Sequence, residues 1–579
     1  MLTSAVEQEI RADEGLKRTV GFFGLMWASE GSIIGSGWLF GALAATALAG
    51  PGSLLSWIIA AVMVIVIALV HAELGGMFAV AGGTSRYPHY AYGSVAGATF
   101  GWFSYLQAAA VAPIEAIAAV TYMSTTSWGA FMYNSKTGIL SGDGTWIAVG
   151  LMFVFVCINV VGIRWFARTN TTLTTWKVLV PILAIFVFLI AKFHASNFSA
   201  DGGFWYGSTF HTIPKAIMEA IPHAGIVFAL LGFEQAIQLG GESRNPQRDL
   251  PRAVIGAVLI GCVIYVLVQF AFVGALSPST ILHAKTWGSL AKTALLAQSP
   301  YYTVAKVAGL AWLAWILRLD AVISPSGTGL VYITSASRVS YGLSKNGYIP
   351  EAFEKTTRNT KVPLVAVAVA FVFGILFLLP FPSWYKLVTA VTTSAVLMYC
   401  GAPLALGALR RSKPELRRPY LLPAGGIVAP IAFIFGNFII YWAGWSTFTA
   451  VMAGLIIGIV LMAASYAFKL NAKRPPIDWT AAVWVFPWLI GMGFITFFGN
   501  FGSGGMIGGV GVFKTVWVGA DGAIPIWWDL VIVAAWSLFI YYMAIYRRLD
   551  TARVDQYVGH IESGEVTHQG PEGMATTTA

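Results

Sequence analysis

Gly31-Ser32-Ile33-Ile34-Gly35-Ser36-Gly37 lies inside the first long apolar run of the chain, which extends from Val20 to Leu48. Three glycines within seven residues favour local unwinding of a helix. Unwound backbone at membrane depth is stable only where it is buried in protein or lines a cavity. This stretch therefore predicts a helix that is broken inside the membrane, unlike an ordinary, continuous membrane-spanning helix.

The composition of the whole chain indicates a lipid bilayer as its environment. Of the 579 residues, 57% are hydrophobic and 10% are charged, and the mean hydropathy is +0.73. Soluble domains are about half apolar and about a quarter charged. Apolar runs of about 20 residues, each long enough to span a bilayer, recur along the sequence. We predict an all-α integral membrane protein with about 14 transmembrane helices.

The net charge of +10 is explained by membrane topology and does not require an anionic partner such as nucleic acid. Basic residues concentrate in the segments that such a topology places on one side of the membrane, which is the positive-inside pattern. We predict a multi-pass protein of the plasma (inner) membrane with both termini in the cytoplasm and no nucleic-acid binding. The polar N-terminus lacks the basic start and short apolar core of a signal peptide.

The cysteines and histidines give no indication of metal or enzyme chemistry. Cys157, Cys262 and Cys400 lie within apolar runs and lack the spacing of metal ligands. A membrane-embedded enzyme would need a nucleophile with a base or a metal cluster at depth, and His71 has no Cys or His at metal spacing. We predict no metal, no cofactor and no enzyme activity.

A second interrupted run follows five spans after the first. Residues Ala224–Gln235 (AGIVFALLGFEQ) place a glycine and a carboxylate inside the sixth span. Two interrupted helices at corresponding positions are typical of two five-helix repeats of inverted topology, each of which opens with a discontinuous helix. Broken helices of this kind form the substrate sites of secondary transporters.

The free ends at the two breaks predict a receptor for a zwitterion. Where the first helix restarts, around Gly35–Gly37, unpaired N–H groups and the positive end of the helix dipole suit a carboxylate. Where the sixth helix stops, near Phe228, free carbonyls suit an ammonium. An α-amino acid carries both groups. The predicted substrate-binding residues are Ser32, Ile33, Gly35, Ser36, Gly37, Phe228, Ala229 and Gly232.

Several motifs, in order along the chain, resemble the amino acid–polyamine–organocation permease superfamily. They are Ile34–Gly37 (IGSG), Ala72–Gly93, Gly232–Glu234 (GFE) and Glu242–Arg252 (ESRNPQRDLPR). Further stretches are similar to the bacterial aspartate–proton symporter branch of that superfamily, and this similarity covers nearly the whole chain. They are Gly82–Pro88 (GGTSRYP), Asp320–Gly329 (DAVISPSGTG), Leu379–Trp384 (LPFPSW) and Tyr441–Trp445 (YWAGW).

The resemblance implies a LeuT-type fold with a 5+5 inverted-repeat core, discontinuous first and sixth helices, and alternating access. It also implies amino acid import driven by proton symport without sodium, an aromatic gate at Phe228, and aspartate or glutamate as the favoured substrate. The sequence sets no oligomeric state. The implied division is a cytoplasmic tail (1–19), repeat 1 (20–193), an extracellular loop (194–216), repeat 2 (217–410), spans 11–12 (427–468), spans 13–14 (482–546) and a cytoplasmic tail (547–579).

Lys177 lies in the middle of the fifth span, where a cation is costly unless it is paired or deprotonated. In proton-coupled members of the superfamily a lysine at this position takes the place of a sodium ion. The resemblance therefore implies that Lys177 holds the unwound first helix to the eighth span, around Ser324, and that its protonation couples proton uptake to transport. A lysine that snorkels from a shallower position is the alternative.

Two glutamates are further candidates for proton coupling. Glu115 is the only charged residue of the third span, so we expect a proton relay or a partner for a cation. Glu30 directly precedes the glycine cluster, where the superfamily has a small or apolar residue. An ionised carboxylate there would repel aspartate. Either Glu30 is protonated, or it pairs with Lys177 or Arg318, or the site favours a neutral or cationic substrate.

Three more polar residues lie within spans. Asp320 and Ser324 are four residues apart on the eighth apolar run, Val304–Ser335, and share a helix face, which predicts a polar stretch at a pocket or gate. Glu234 follows the second break, and the family pattern makes it a structural anchor. Aromatic residues at run ends, including Trp384, are expected to be anchors at the membrane interface.

Three alternatives to an acidic amino acid symporter remain at this point. They are an amino acid exchanger, a proton-coupled carrier of neutral or cationic amino acids or amines, and a sensor that binds an amino acid without transporting it. All three would use the same pocket, so flux and competition measurements distinguish them.

Overall fold

The computed structural model describes residues 18–161, 163–206, 212–357, 360, 362–379, 383–501 and 522–562. The tails at 1–17 and 563–579, the centre of the predicted 194–216 loop and half of the LPFPSW stretch lie outside these residues. Within the described residues the chain is helical, with one two-stranded antiparallel hairpin, β1 (Tyr133–Asn134) paired with β2 (Ile139–Leu140).

The first half of the chain contains eleven α-helices among its described residues, and two of its apolar runs are interrupted. The helices are α1 (Phe22–Ile33), α2 (Ser36–Ala49), α3 (Ser53–Met77), α4 (Gly83–Tyr92), α5 (Ser94–Met123), α6 (Gly142–Val161), α7 (Ile163–Ala191), α8 (Thr212–His223), α9 (Ile226–Leu230), α10 (Glu234–Gln238) and α11 (Pro246–Ala275).

The second half begins with short helices and continues with long ones. The short helices are α12 (Pro278–Ala284), α13 (Trp287–Leu290), α14 (Ala294–Gln298) and α15 (Pro300–Val307). The others are α16 (Ala311–Lys345), α17 (Leu364–Leu378), α18 (Trp384–Tyr399), α19 (Gly401–Ser412), α20 (Gly425–Trp442), α21 (Gly444–Ala467), α22 (Trp479–Ala482), α23 (Val485–Phe498), α24 (Ile526–Arg547) and α25 (Thr551–Glu562).

Ten helical segments of the described chain are long and apolar enough to cross a membrane, and α17 is a shorter apolar helix. This confirms the prediction of a helical, multi-pass membrane protein. The ten segments are Ser36–Met77, Ser94–Met123, Gly142–Val161, Thr172–Ala191, Pro246–Ala275, Leu387–Ser412, Gly425–Trp442, Gly444–Ala467, Trp479–Phe498 and Ile526–Arg547.

The first apolar run is broken at the glycine cluster, where the sequence predicted a break. Helix α1 ends at Ile33, and α2 begins at Ser36. The intervening Ile34 and Gly35 have non-helical backbone angles, with ψ of 85° at Ile34 and φ of −121° at Gly35. The last turn of α1 and the whole break are buried.

The sixth run is broken twice. The break that the sequence predicted near Phe228 separates α9, which ends at Leu230, from α10, which begins at Glu234. A second break, which the sequence did not predict, separates α8 from α9 at Gly225. Gly225 has φ of +74°, a left-handed conformation that glycine adopts without steric cost.

The predicted bounds of the eighth run, Val304–Ser335, are wrong. Helix α15 ends at Val307, and α16 begins at Ala311 and continues to Lys345. The chain turns at Gly309, whose φ of +77° is incompatible with a continuous helix. Apolar character alone does not distinguish the end of α15 from the start of α16, so the sequence pattern merged them.

The long helices pack so that the two breaks face each other. Helix α5 packs along α16, and α11 packs against α3, α1 and α7. The break between α1 and α2 contacts α9 and α10, while α5 and α16 close the other side. This arrangement places both interrupted helices and the mid-helix charges of α5 and α7 around one buried region.

Candidate functional site

A small buried cavity lies where the two breaks meet, and in this structure it has room for little more than a water molecule. It contains most of the predicted substrate-binding residues. The lining residues are Ser32, Ile33, Gly35, Gly37, Val111, Glu115, Phe228, Ala229, Thr328 and Tyr332.

The Glu115 side chain accepts a hydrogen bond from the backbone amide at which the sequence predicted the substrate carboxylate. The Ser36 N–H, at the start of α2, donates a hydrogen bond of 2.8 Å to Glu115 Oε2. A helix N-terminus stabilises a negative charge, because its first N–H groups are unpaired and the helix dipole is positive there. Glu115 is 1% exposed, and its Oε1 has no hydrogen-bond partner among the described residues. One oxygen is therefore held by α2, and the other remains unsatisfied at the cavity.

Lys177 occupies the other end of the same break. Its ammonium donates hydrogen bonds to the carbonyl oxygen of Gly31, in the last turn of α1, and to Thr328 Oγ1 at 2.8 Å. The Thr328 hydroxyl in turn donates to the Gly31 carbonyl at 2.9 Å. Lys177 is fully buried, so it does not snorkel to a membrane surface. It links α7, the broken first helix and α16, as expected for this lysine.

The partner of Lys177 on α16 differs from the one that the sequence predicted. Ser324 was expected, but its hydroxyl donates to Asp320 Oδ1 at 2.8 Å within the same helix. Thr328 makes the contact to Lys177 and to the first break instead. Ser324 and Thr328 are four residues apart and share a helix face. Only the depth of α16 in the bundle decides which of them meets Lys177.

Three carboxylates surround the single ammonium. Lys177 interacts electrostatically with Glu115, Asp320 and Glu30, all of which are buried. If all four groups were ionised, the cluster would carry a net negative charge inside the membrane, where unbalanced charge is costly. A neutral, protonated carboxylic acid in place of one or more of these carboxylates would reduce that cost.

Glu30 does not line the cavity. Its side chain is fully buried, and neither carboxylate oxygen has a hydrogen-bond partner among the described residues. It interacts electrostatically with Lys177, one of the two predicted partners. Arg318, the other, stacks over the ring of Tyr302 at 3.9 Å from the ring centroid. Glu30 therefore lies near the cavity without lining it, and one of its two predicted partners, Lys177, is an electrostatic neighbour.

The sixth break supplies the opposite wall of the cavity. Phe228 and Ala229 line it, and the carbonyls of Ala229 and Leu230 accept no hydrogen bond from the described residues. Gly37 lies so close that a Cβ atom there would come within 2.6 Å of Ala229 Cβ. The sequence predicted an ammonium site at these carbonyls. Ala229 is a lining residue and Leu230 is not, and the two broken helices are in direct contact.

Gly232 is placed differently from the prediction. It does not line the cavity, and its N–H donates to Glu234 Oε2 at 2.9 Å. Its φ is +129°, and a Cβ atom would come within 2.6 Å of Ser32 Cβ. Gly232 thus lets the second break approach the first, which is a packing role.

Glu234 is the shared acceptor of a hydrogen-bond network next to the cavity, which it meets through the lining residue Tyr332. Besides the Gly232 amide, its carboxylate accepts hydrogen bonds from Tyr399 at 2.5 Å and Tyr332 at 3.2 Å, and from the Gln107 and Gln235 side chains. A carboxylate with so many donors is well satisfied in a buried position. Glu234 thus joins α10 to side chains of α5, α16 and α18, and its role as a structural anchor stays a prediction.

Sequence reasoning missed several residues that the structure brings to the site. Thr328 was within the quoted DAVISPSGTG stretch but was not singled out, and Val111 is an ordinary apolar residue of α5. Tyr332 follows Thr328 by one helical turn, so the same face could have indicated it. Tyr265 on α11 donates to the Ile33 carbonyl at 2.6 Å, a long-range contact that no local pattern indicates.

Taken together, a multi-pass helical bundle and a buried polar cavity between two broken helices define a membrane protein of the solute-transporter class. Comparison with known proteins gives the particular family. Residues 20–442 match the family model described as "Amino acid permease". The chain belongs to this family, so it is a transporter and not an enzyme.

Three relatives whose names state a function are transporters of Bacillus subtilis. The glutamate/serine transporter AimA is 35% identical over 92% of this chain and 94% of its own length. The aspartate-proton symporter is 31% identical over 93% of this chain and 98% of its own length. The branched-chain amino acid permease BcaP is 26% identical over 78% of this chain and 93% of its own length. The predicted resemblance to the superfamily and its aspartate–proton symporter branch is confirmed.

Proposed function

We propose that the chain imports an amino acid by proton symport across the plasma membrane, through alternating access. The observation that carries this proposal is the pair at the first helix break. The Lys177 ammonium binds the Gly31 carbonyl, and the Glu115 carboxylate binds the Ser36 amide. Together they place on the break the two charges that an amino acid also carries.

The symport mechanism follows from this pair. A substrate carboxylate that takes the Ser36 amide replaces Glu115 there, and an unpaired carboxylate inside the protein takes up a proton because burying its charge alone is costly. The substrate ammonium binds the free carbonyl of Ala229, a lining residue of the cavity. Substrate and proton are thus bound in the same step. Lys177 keeps the break in place, so sodium is not required.

The architecture proposed for this mechanism is the LeuT-type 5+5 core. Repeat 1 (20–193) then contains α1 to α7, and repeat 2 (217–410) contains α8 to α19 except for the first residues of α8 and the last residues of α19. Each repeat has an interrupted first span. Counting α2 and α3 as separate spans and adding the α8–α10 run, α16 and α17 to the ten apolar segments gives fourteen spans. The positive-inside rule then assigns both termini to the cytoplasm.

Aspartate or glutamate is the proposed substrate class, and the names of two relatives support it. A small neutral amino acid such as serine is the second candidate. The observation that favours serine is the lining of the cavity, which includes a carboxylate and no Lys or Arg among the described residues. An acidic side chain would need a proton or the help of Lys177, whereas serine would need neither.

The experiment is uptake into proteoliposomes with an inward pH gradient, followed by competition with acidic, neutral and basic amino acids and amines. Proton symport predicts accumulation that depends on the gradient and collapses when a protonophore is added. Exchange without net gradient-driven uptake would refute symport and favour the exchanger. Binding without any flux would favour the sensor. The competition order separates aspartate and glutamate from serine.

A further inference from the structure

Trp384 lies in a position that its place in the sequence does not suggest. It is the first residue of α18 and stands at the end of an apolar run, so it was expected to anchor the membrane interface. That expectation is wrong, because the side chain is only 2% exposed. Its indole N–H donates a hydrogen bond of 2.7 Å to Ser36 Oγ. A buried tryptophan usually finds a partner for this N–H, and here the partner is in the first helix break.

The Trp384 ring contacts both broken helices. It stacks on Phe40 of α2 with ring centroids 5.2 Å apart, and it meets Phe228 of α9 edge-on at 5.9 Å. It also covers Gly225, at the junction of α8 and α9, where a Cβ atom would come within 2.7 Å of the ring. The ring therefore fits only because Gly225 lacks a side chain.

Ser36 is held from two sides by helices outside the break. Glu115 of α5 binds its amide, and Trp384 of α18 binds its hydroxyl. Trp384 does not line the cavity, but two of its contacts border the site: Phe228 is a lining residue and Ser36 binds Glu115. Movement of the first turns of α2 away from α18 must break the indole hydrogen bond and separate the ring from Phe40.

We propose that Trp384 is a gating residue that holds the two broken helices closed over the cavity on the side where α2 leads away from the break and α18 begins. Its release from Ser36 is a step in opening the site toward that side. This inference rests on the proposed alternating access, and the proposed topology makes that side the outer one.

The test measures access to the cavity from outside, without requiring transport. A thiol is introduced by Val111→Cys, at a lining residue, in a background carrying Cys157→Ser, which removes the exposed native cysteine. Right-side-out vesicles are treated with a membrane-impermeant maleimide, and the labelling rate is measured. Trp384→Phe keeps a ring but removes the N–H, so labelling should be about five times faster, as expected for the loss of one hydrogen bond.

Two further variants keep the test decisive. Ser36→Ala removes the same hydrogen bond from the other side, so it should accelerate labelling equally, and the double variant should add nothing more. Trp488→Phe is the matched control, because Trp488 is also buried and its N–H bonds to Asn437 Oδ1 at 2.9 Å, away from the cavity. It should leave labelling unchanged.

Two results would overturn the proposal. One is an unchanged labelling rate in both Trp384→Phe and Ser36→Ala, and the other is an equal acceleration in Trp488→Phe, which would mean general loosening. Uptake by the wild-type protein, measured in parallel, distinguishes a failure of the proposed function from a failure of the gating role. If uptake fails, the proposed function is wrong, whereas uptake with unaltered labelling in the variants means that only the gating role is wrong.

Discussion

The two helix breaks border the same cavity, but their backbone groups are satisfied to different extents. At the first break, the Gly31 carbonyl is bound by Lys177 and the Ser36 amide by Glu115, so charged side chains from α7 and α5 occupy both ends. At the second break, the carbonyls of Ala229 and Leu230 accept no hydrogen bond from the described residues.

A substrate would therefore meet different groups at the two breaks. At the second break no side chain of the described residues has to be displaced from the Ala229 and Leu230 carbonyls, although the cavity must widen before an amino acid can enter. The first break already holds an ammonium and a carboxylate of the protein itself, so a substrate carboxylate that binds the Ser36 amide has to replace Glu115 there. In the proposed mechanism, the part of the site that must change is also the part that contains the titratable groups, so binding of the substrate carboxylate would bring proton uptake with it.

Removing the ammonium of Lys177 should have the largest effect. Lys177→Ala leaves Glu115, Asp320 and Glu30 without their cation, and breaking a buried ion pair costs about 3–5 kcal/mol. We expect uptake driven by a pH gradient to fall at least ~100-fold. Lys306→Ala is the control, because Lys306 is exposed at the end of α15. Gradient-driven accumulation by Lys177→Ala at the wild-type rate would refute the role of the lysine.

Contact between the two breaks can be tested with glycines. Gly37→Ala introduces a Cβ atom 2.6 Å from Ala229 Cβ and forces the breaks apart, so we expect uptake to fall about 10-fold or more. Gly150→Ala is the matched control on α6, because a Cβ atom there meets nothing within 4 Å. Uptake assays on both variants, normalised to protein in the membrane, compare them. Equal uptake would mean that the close approach of the breaks is unimportant.

Thr328 and Ser324 distinguish the observed contact from the one expected from sequence. Thr328→Val removes the hydroxyl that joins Lys177 to the Gly31 carbonyl, so KM for uptake should rise about 10-fold. Ser324→Ala removes only a hydrogen bond to Asp320, and its KM should stay within about threefold of wild type. A larger rise in KM in Ser324→Ala than in Thr328→Val would mean that Ser324, around which the sequence predicted the contact, is the more important partner on α16.

Glu30 should have the smallest effect on substrate choice. Because it does not line the cavity, Glu30→Gln should leave the ratio of aspartate to serine uptake within about twofold of wild type. Its electrostatic interaction with Lys177 still predicts a change in how uptake depends on pH. A marked shift toward aspartate in this variant would instead place Glu30 beside the bound substrate.

Local sequence patterns predicted the position of both breaks, because the glycine cluster and the Gly232–Glu234 stretch interrupt otherwise apolar runs. They did not predict the break at Gly225 or the helix at Gly83–Tyr92, since a single glycine and a short polar helix leave no periodic signal. Lys177 and Glu115 were identified because charge inside a span is costly, whatever its partners.

The partners themselves could not be predicted in this way. Thr328 and Ser324 share a face, and only the depth of α16 in the bundle separates them. A position at the end of an apolar run did not reveal that Trp384 is buried against Ser36, because interface anchors occupy the same kind of position. Contacts between residues hundreds of positions apart depend on how the helices pack, and no local pattern contains that information.

The most direct test of the central claim is the number of protons taken up when substrate binds. Calorimetry of the detergent-solubilised protein, in two buffers of different ionisation enthalpy, gives this number for L-aspartate, L-glutamate and L-serine as probes. We predict uptake of about one proton per bound amino acid by the wild-type protein. Glu115→Gln, which keeps an acceptor for the Ser36 amide but cannot bind the proton, should take up none. Binding without proton uptake in the wild type, or equal uptake in Glu115→Gln, would contradict the exchange of Glu115 for the substrate carboxylate.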